Sequence, residues 1–228
     1  MFGCEWGIKA TLPALAGSQY RAGDMQRFYY FGVEKAIANL FTLPKFVAAR
    51  GKGRKPDDPS SIYGSPAFKT LNERTVGLAA HDNTSLYGLG CDWVKIFNFK
   101  DYSIGIVGLR CEDMEAAYMG KQEFHMPVMI ISGPDLPRSV DGYFEVIGLE
   151  LEKLWKEGMV VTPAGGGRSF THHVLLGSIT ADFPARAKIG NFAGSASAYL
   201  ACHNCTFCGT RQNNRMLFLG YTGPEIMM

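Results

Sequence analysis

The sequence has no apolar run approaching the roughly 18 residues that a membrane-spanning helix needs, so no such helix is expected. Met1 is followed by FGCEWG, without the basic start and apolar core of a signal peptide. Charge is sparse at 19%, and 23 Lys and Arg against 21 Asp and Glu leave a net charge of only +2. That balance neither requires nor excludes a nucleic-acid partner, because local clustering decides such binding. Repeats and low-complexity tracts are lacking too, which argues against a solenoid or a disordered tail. The six cysteines do not form a disulfide framework: Cys4, Cys91 and Cys111 are scattered, and Cys202, Cys205 and Cys208 are clustered. This usage suits a reducing compartment, and the chain reads as intracellular.

What is present is ordinary globular material. With 228 residues and 46% apolar content, the chain can bury a substantial core as one large domain or two small ones. Asp24 can cap a helix that carries Phe28, Phe31, Ile37, Leu40 and Phe41 and ends before Pro44. A Gly/Pro-rich stretch, ARGKGRKPDDPSS, then gathers Arg50, Lys52, Arg54 and Lys55. Such a run could bind DNA phosphates, although a solvated loop is the commoner use. Ser65–Glu73 reads as a short helix.

From Thr75 onward the pattern turns to strands. TVGLAAHD reads as a strand ending on Asp82, YSIGIVGLR (102–110) as a second and MPVMIIS (126–132) as a third. A helix from about Ser139 to Glu157 shows an apolar stripe of Val140, Tyr143, Phe144, Ile147, Leu151, Leu154 and Trp155, with Gly158 as its stop. After TPAGGGRSF, the run HHVLLGSITAD forms a fourth strand that ends on Asp182. Three strands, a helix and a strand predict an α/β fold with a mixed sheet. The order is also that of a ribonuclease H-like core, which sets its first two metal-binding aspartates on the first and fourth of these strands.

Three features carry candidate chemistry. Asp82 and Asp182 would be rigidly aimed carboxylates if their strands are neighbours, as two-metal phosphoryl transfer requires. Each could instead be a helix or turn cap, Asp182 before Phe-Pro-Ala and Asp82 before Asn-Thr-Ser. Cys202, Cys205 and Cys208 offer three thiolates for Zn²⁺, with a fourth ligand from Cys4, Cys91, a distant His or a residue past Met228. They could equally be reduced thiols that pack. The run Gly165-Gly166-Gly167 beside Arg168 and His172-His173 lacks the Lys-Ser/Thr ending of a phosphate-binding loop and reads as a flexible connection.

The segments GDMQRFYYF (23–31), SPAFKTLNE (65–73), VGLAAHDNTSLYG (76–88), MPVMIISGPDLPRSVDGYFEVIGLELEKLW (126–155), LLGSITADFPARAKIGNFAGSASAYLACHNCTFCG (175–209) and NNRMLFLGY (213–221) form a specific series. In them the chain resembles the transposases of CACTA (En/Spm-type) DNA transposons, a family with a ribonuclease H-like DDE core. The resemblance implies that Asp82 and Asp182 are the first two catalytic acids and hold Mg²⁺ for DNA strand cleavage and transfer. It also implies that Cys202 and Cys205 open an insertion, that the partner is DNA at transposon ends, and that the protein works in the nucleus.

There are departures. Asp82 is followed by Asn83 where the family has Gly, and Tyr221-Thr222-Gly223-Pro224 stands where His-Arg-Arg is usual. A third acid, a glutamate on a later helix, has no counterpart before Met228. Three parts are therefore expected: an N-terminal helical region with a basic loop (1–73), a partial ribonuclease H-like core (74–200) and the cysteine-bearing start of an insertion (201–228). The chain is expected not to catalyse strand transfer alone. The competing expectation is a decayed or domesticated scaffold that binds DNA or protein, with a zinc site.

Overall fold

A computed structural model of the chain describes residues 28–59, 61–99, 101–133, 137, 139–190, 209–213 and 215–217. Six strands form the central sheet: β1 (Phe28–Tyr30), β2 (Thr84–Lys95), β3 (Ser103–Cys111), β4 (Met126–Ile131), β5 (Met159–Val161) and β6 (Phe170–Ala181). Their spatial order is β1-β4-β3-β2-β6-β5. Strands β2, β3 and β4 form an antiparallel meander, β1 and β5 flank it antiparallel to β4 and β6, and β6 lies parallel to β2. A parallel neighbour requires a crossover, and α5 (Asp141–Lys156) lies on that connection. This is the α/β, ribonuclease H-like mixed sheet that the sequence led us to expect. A separate hairpin pairs β7 (Thr210–Gln212) with β8 (Arg215–Leu217).

The sheet is amphipathic because its strands alternate. Tyr87, Leu89 and Cys91 of β2, with Val107 and Leu109 of β3 and Met129 and Ile131 of β4, face Ile147, Leu151 and Leu154 of α5. The helix α1 (Val33–Phe41) adds Ile37, Leu40 and Phe41 to the same core, and α2 (Pro44–Ala49) adds Phe46. Each such aliphatic or aromatic side chain contributes about 1.5–3 kcal/mol by leaving water. On the other face, a smaller cluster joins Leu86 and Leu175 to Tyr63, Phe68 and Ala79. Phe68 belongs to α3 (Pro66–Arg74), which the Ser65 hydroxyl caps by accepting from the Phe68 N–H at 3.1 Å.

Two expectations are corrected here. The first helix does not include Phe28, which lies in a strand beside Ile131; it starts at Val33, and the expected cap Asp24 lies outside the described residues. Pro44 does end that helix, then opens α2 at its first turn, where its missing N–H costs nothing. TVGLAAHD is not a strand. Positive φ at Val76 (52°) and Gly77 (83°) breaks extension, and Leu78–Ala80 form a single 3-10 turn. The central strand begins after Asp82, at Thr84. Among the described residues no helix is long and apolar enough to cross a membrane.

Candidate functional site

The parallel pairing of β2 with β6 fixes which acids can meet. Its register runs from Thr84 opposite His173 to Cys91 opposite Ala181, with Gly177 as an extra residue at a bulge. The next residue on each strand is an aspartate, Asp92 on β2 and Asp182 just past β6. Adjacent positions on neighbouring strands stand about 5 Å apart. Both side chains are exposed, Asp92 on the face opposite the buried Cys91.

Each carboxylate is held by a backbone donor. Asp182 caps α6 (Phe183–Ile189), accepting from the Ala185 N–H at 2.8 Å. Asp92 accepts from the Trp93 N–H at 2.7 Å. One oxygen of each acid is thus oriented by the chain. The helix beginning at Asp182 is tied back to β2, because Lys188 Nζ lies 5.6 Å from the centre of the Trp93 ring and donates to the Pro137 carbonyl at 3.1 Å. A further sign of convergence is the Cys91 thiol, pushed up to about 11 by burial first and then by the charges of Asp92 and Asp182.

The face leading to the pair is bare. Gly88 and Gly90 of β2 lie beside Gly108 of β3, and with Arg110, His125 and Thr180 they line a shallow groove of about 150 Å³. A Cβ at Gly90 would meet nothing within 4 Å among the described residues.

Asp82 does not join this site. It stands before β2, level with the start of β6, so at about 3.3 Å per residue it lies roughly 30 Å along the strands from Asp182. Its carboxylate is fully exposed, 3.9 Å from Arg54, and its backbone carbonyl accepts from Arg50 at 3.1 Å. The expected pairing of Asp82 with Asp182 is therefore replaced by Asp92 with Asp182. The Asp-Gly step is absent here as well, since Trp93 follows Asp92.

The basic loop is divided. Arg54 is mostly buried, bonded to Asp113 at 2.7 Å and to the Thr84 carbonyl, so it is a structural clamp. Arg50 reaches Ser85 at 3.3 Å and lies near the rings of Phe41 and Phe170. Lys52 and Lys55 remain exposed. Of the thiols, Cys91 and Cys111 are free and buried, whereas Cys202, Cys205 and Cys208 lie outside the described residues. Among the described residues, no group of three or more His, Cys, Asp or Glu side chains is placed to hold a metal ion.

The sequence did carry a signal for Asp92. Tyr87, Leu89, Cys91 and Trp93 alternate with Gly88, Gly90 and Asp92, the period of a half-buried strand. Glycine inside a strand weakens its pattern, and with Gly88 and Gly90 in it the run reads as no element. No curated protein matches the chain. The family described as Transposase family tnp2 matches residues 64–223, a span that contains β2, α5, β6 and both aspartates. The chain belongs to this transposase family.

Proposed function

We propose that this chain carries the sheet portion of a DNA-cleaving transposase centre, in which Asp92 and Asp182 hold Mg²⁺. The register that pairs Cys91 with Ala181, and so brings Asp92 on β2 level with Asp182 just past β6, is the observation that carries the reading. Hard carboxylate oxygens suit Mg²⁺, and the backbone N–H held by each acid leaves its other oxygen for the ion. When bound, Mg²⁺ supplies charge neutralisation at the phosphate and a more acidic attacking water or 3′-hydroxyl. The chain's part is to fix the acids: the β-sheet sets Asp92, and the α6 cap with the Lys188–Trp93 contact sets Asp182.

The DNA partner, the nuclear location and the closer kinship with CACTA transposases go with this reading. Asp82, by contrast, has no place in it.

Divalent-ion binding tests the proposal apart from activity. The parent chain is expected to bind Mn²⁺, followed by electron paramagnetic resonance, with affinity reduced at least about tenfold in Asp92→Asn and in Asp182→Asn. Asp82→Asn should bind as the parent does. Equal binding by all three variants would refute the assignment. Mg²⁺-dependent nicking of duplex DNA carrying transposon ends, with a segment bearing the third acid supplied in trans and the activity lost in the same two variants, tests the reaction itself.

A further inference from the structure

A second feature lies at the other end of β2. Lys45 of α2, Lys52 of the basic loop and Lys121, after α4 (Ala116–Met119), line a concavity of about 250 Å³ together with Ala48, Ala49 and Tyr118. All three lysines are exposed. Lys121 Nζ stands 4.4 Å from the centre of the Tyr118 ring, and that ring packs near Phe124 at 6.3 Å. The aromatic floor is therefore anchored in the core.

The loop that presents Lys52 is pinned on both sides of it. The Lys52 N–H donates to the Ala49 carbonyl at 3.3 Å, and the Gly53 N–H donates to the Asp113 carbonyl at 2.7 Å. A side chain at Gly53 would run into the backbone of Asp113 and Met114, so the loop lies flush against the end of β3. Arg54 then locks onto the Asp113 carboxylate. A basic, Gly-rich segment that could have been a solvated tether is instead a fixed platform.

Three ammonium groups around one concavity repel each other and gain from an anion between them. One acid offsets them in part: Glu123 lies 3.7 Å from Lys45, in a pair exposed enough to be weak and easily exchanged. We propose that this concavity seats a backbone phosphate of double-stranded DNA, a site separate from the aspartate pair. The inference rests on the transposase reading for the identity of its ligand. Its anchor Asp113 bonds the Leu86 N–H at 3.0 Å, six residues before Asp92, or roughly 20 Å along β2. The site therefore holds DNA away from the bond to be cut, as lysine point charges and a tyrosine hydroxyl do at non-specific phosphate contacts.

The test is the salt dependence of binding to a random-sequence duplex, read by fluorescence anisotropy. For the whole chain carrying Lys45→Gln, Lys52→Gln and Lys121→Gln together, the slope of log K against log salt should fall in magnitude by about 0.9, the loss of one phosphate contact. A control losing equal charge elsewhere, Lys69→Gln with Arg74→Gln and Lys156→Gln, should keep the parent slope. Unchanged thermal unfolding midpoints in both triples exclude misfolding as the cause. An unchanged slope in the first triple overturns the site, and an equal fall in both triples reduces it to net charge and overturns it as well. Competition by inorganic phosphate as effective as by duplex DNA would overturn the assignment to DNA. Failure of the catalytic reading looks different: Asp92→Asn and Asp182→Asn would bind Mn²⁺ like the parent while the lysine triple still loses its slope. A parent chain that bound no duplex at low salt would sink both.

Discussion

The Asp113 carboxylate, fully buried at the exit of β3, is closed by the Arg54 guanidinium at 2.7 Å and by the Tyr63 hydroxyl. It also accepts from the Leu86 N–H at 3.0 Å, so one side chain joins the basic loop, the 3-10 turn at Ile62–Gly64 and the central strand. The carboxylate raises the Tyr63 hydroxyl pKa well above its usual range, after burial as the larger cause. Removing one partner of a buried pair leaves the other charge uncompensated and costs about 3–5 kcal/mol. Asp113→Ala is expected to lower unfolding stability by about that much in a urea titration. Arg54→Met should cost at least as much, about 3–5 kcal/mol, because it strands the fully buried Asp113 carboxylate, whereas the Arg54 left by Asp113→Ala keeps some contact with water.

A second prediction concerns pH. His172 is buried between β2 and the turn before it: its Nδ1 donates to the Asn83 carbonyl at 2.7 Å, and its Nε2 accepts from the Tyr87 hydroxyl at 3.2 Å. Burial, with Arg50 and Arg54 nearby, lowers its pKa from 6.5 to about 3. The folded protein therefore keeps this imidazole neutral while the unfolded chain takes up a proton below pH 6.5. Stability is fully present above that pH and is lost as pH falls, by about 1.4 kcal/mol per unit. His172→Gln should unfold with a shallower pH dependence between pH 4 and 6.5, measured as the difference from the parent; equal slopes would exclude His172 as the cause.

The N-terminus of α1 is capped from a distance. Gly32 has no side chain to cap it, and the Glu150 carboxylate of α5 accepts from the Val33 and Glu34 N–H groups, each at 2.9 Å. The Tyr30 hydroxyl donates to the same carboxylate. Glu150→Ala should cost about 1–2 kcal/mol, the scale of a lost helix cap, and Glu150→Gln less. Chemical denaturation with an unchanged m-value would register this as a loss of stability.

The two glycines of β2 should respond oppositely to alanine. At Gly90 a Cβ enters open space, so Gly90→Ala should be neutral or stabilising by up to about 1 kcal/mol, since glycine is the costlier strand residue. At Gly88 the same group meets Glu112 and Ser178, which already share a hydrogen bond of 3.0 Å, so Gly88→Ala should destabilise. Thermal unfolding of the pair checks both signs.

These residues also show where sequence reading succeeds. The α3 helix follows from Ser65 and Pro66, and α5 follows from its apolar stripe and Gly158, because caps and periodicity are local. Strand β6 and the placement of Asp182 at its end follow in the same way. The aspartate beside Asp182 was not legible, because it depends on a register between strands remote in sequence and on glycines that weaken the strand pattern. Likewise nothing local distinguishes Arg54, bonded inside, from Lys52, left outside. Long-range partners such as Glu150 and Val33 leave no trace at the separation that joins them.

The parallel join of β2 and β6 has a consequence for how the protein comes into being. About ninety residues separate Asp92 from Asp182, so closing that gap carries a large entropic cost and belongs to the slow, cooperative part of folding. During synthesis the two acids cannot meet until β6 has left the ribosome and the intervening meander and helix have settled. A nascent chain holding only the first strand carries one solvated aspartate without its neighbour.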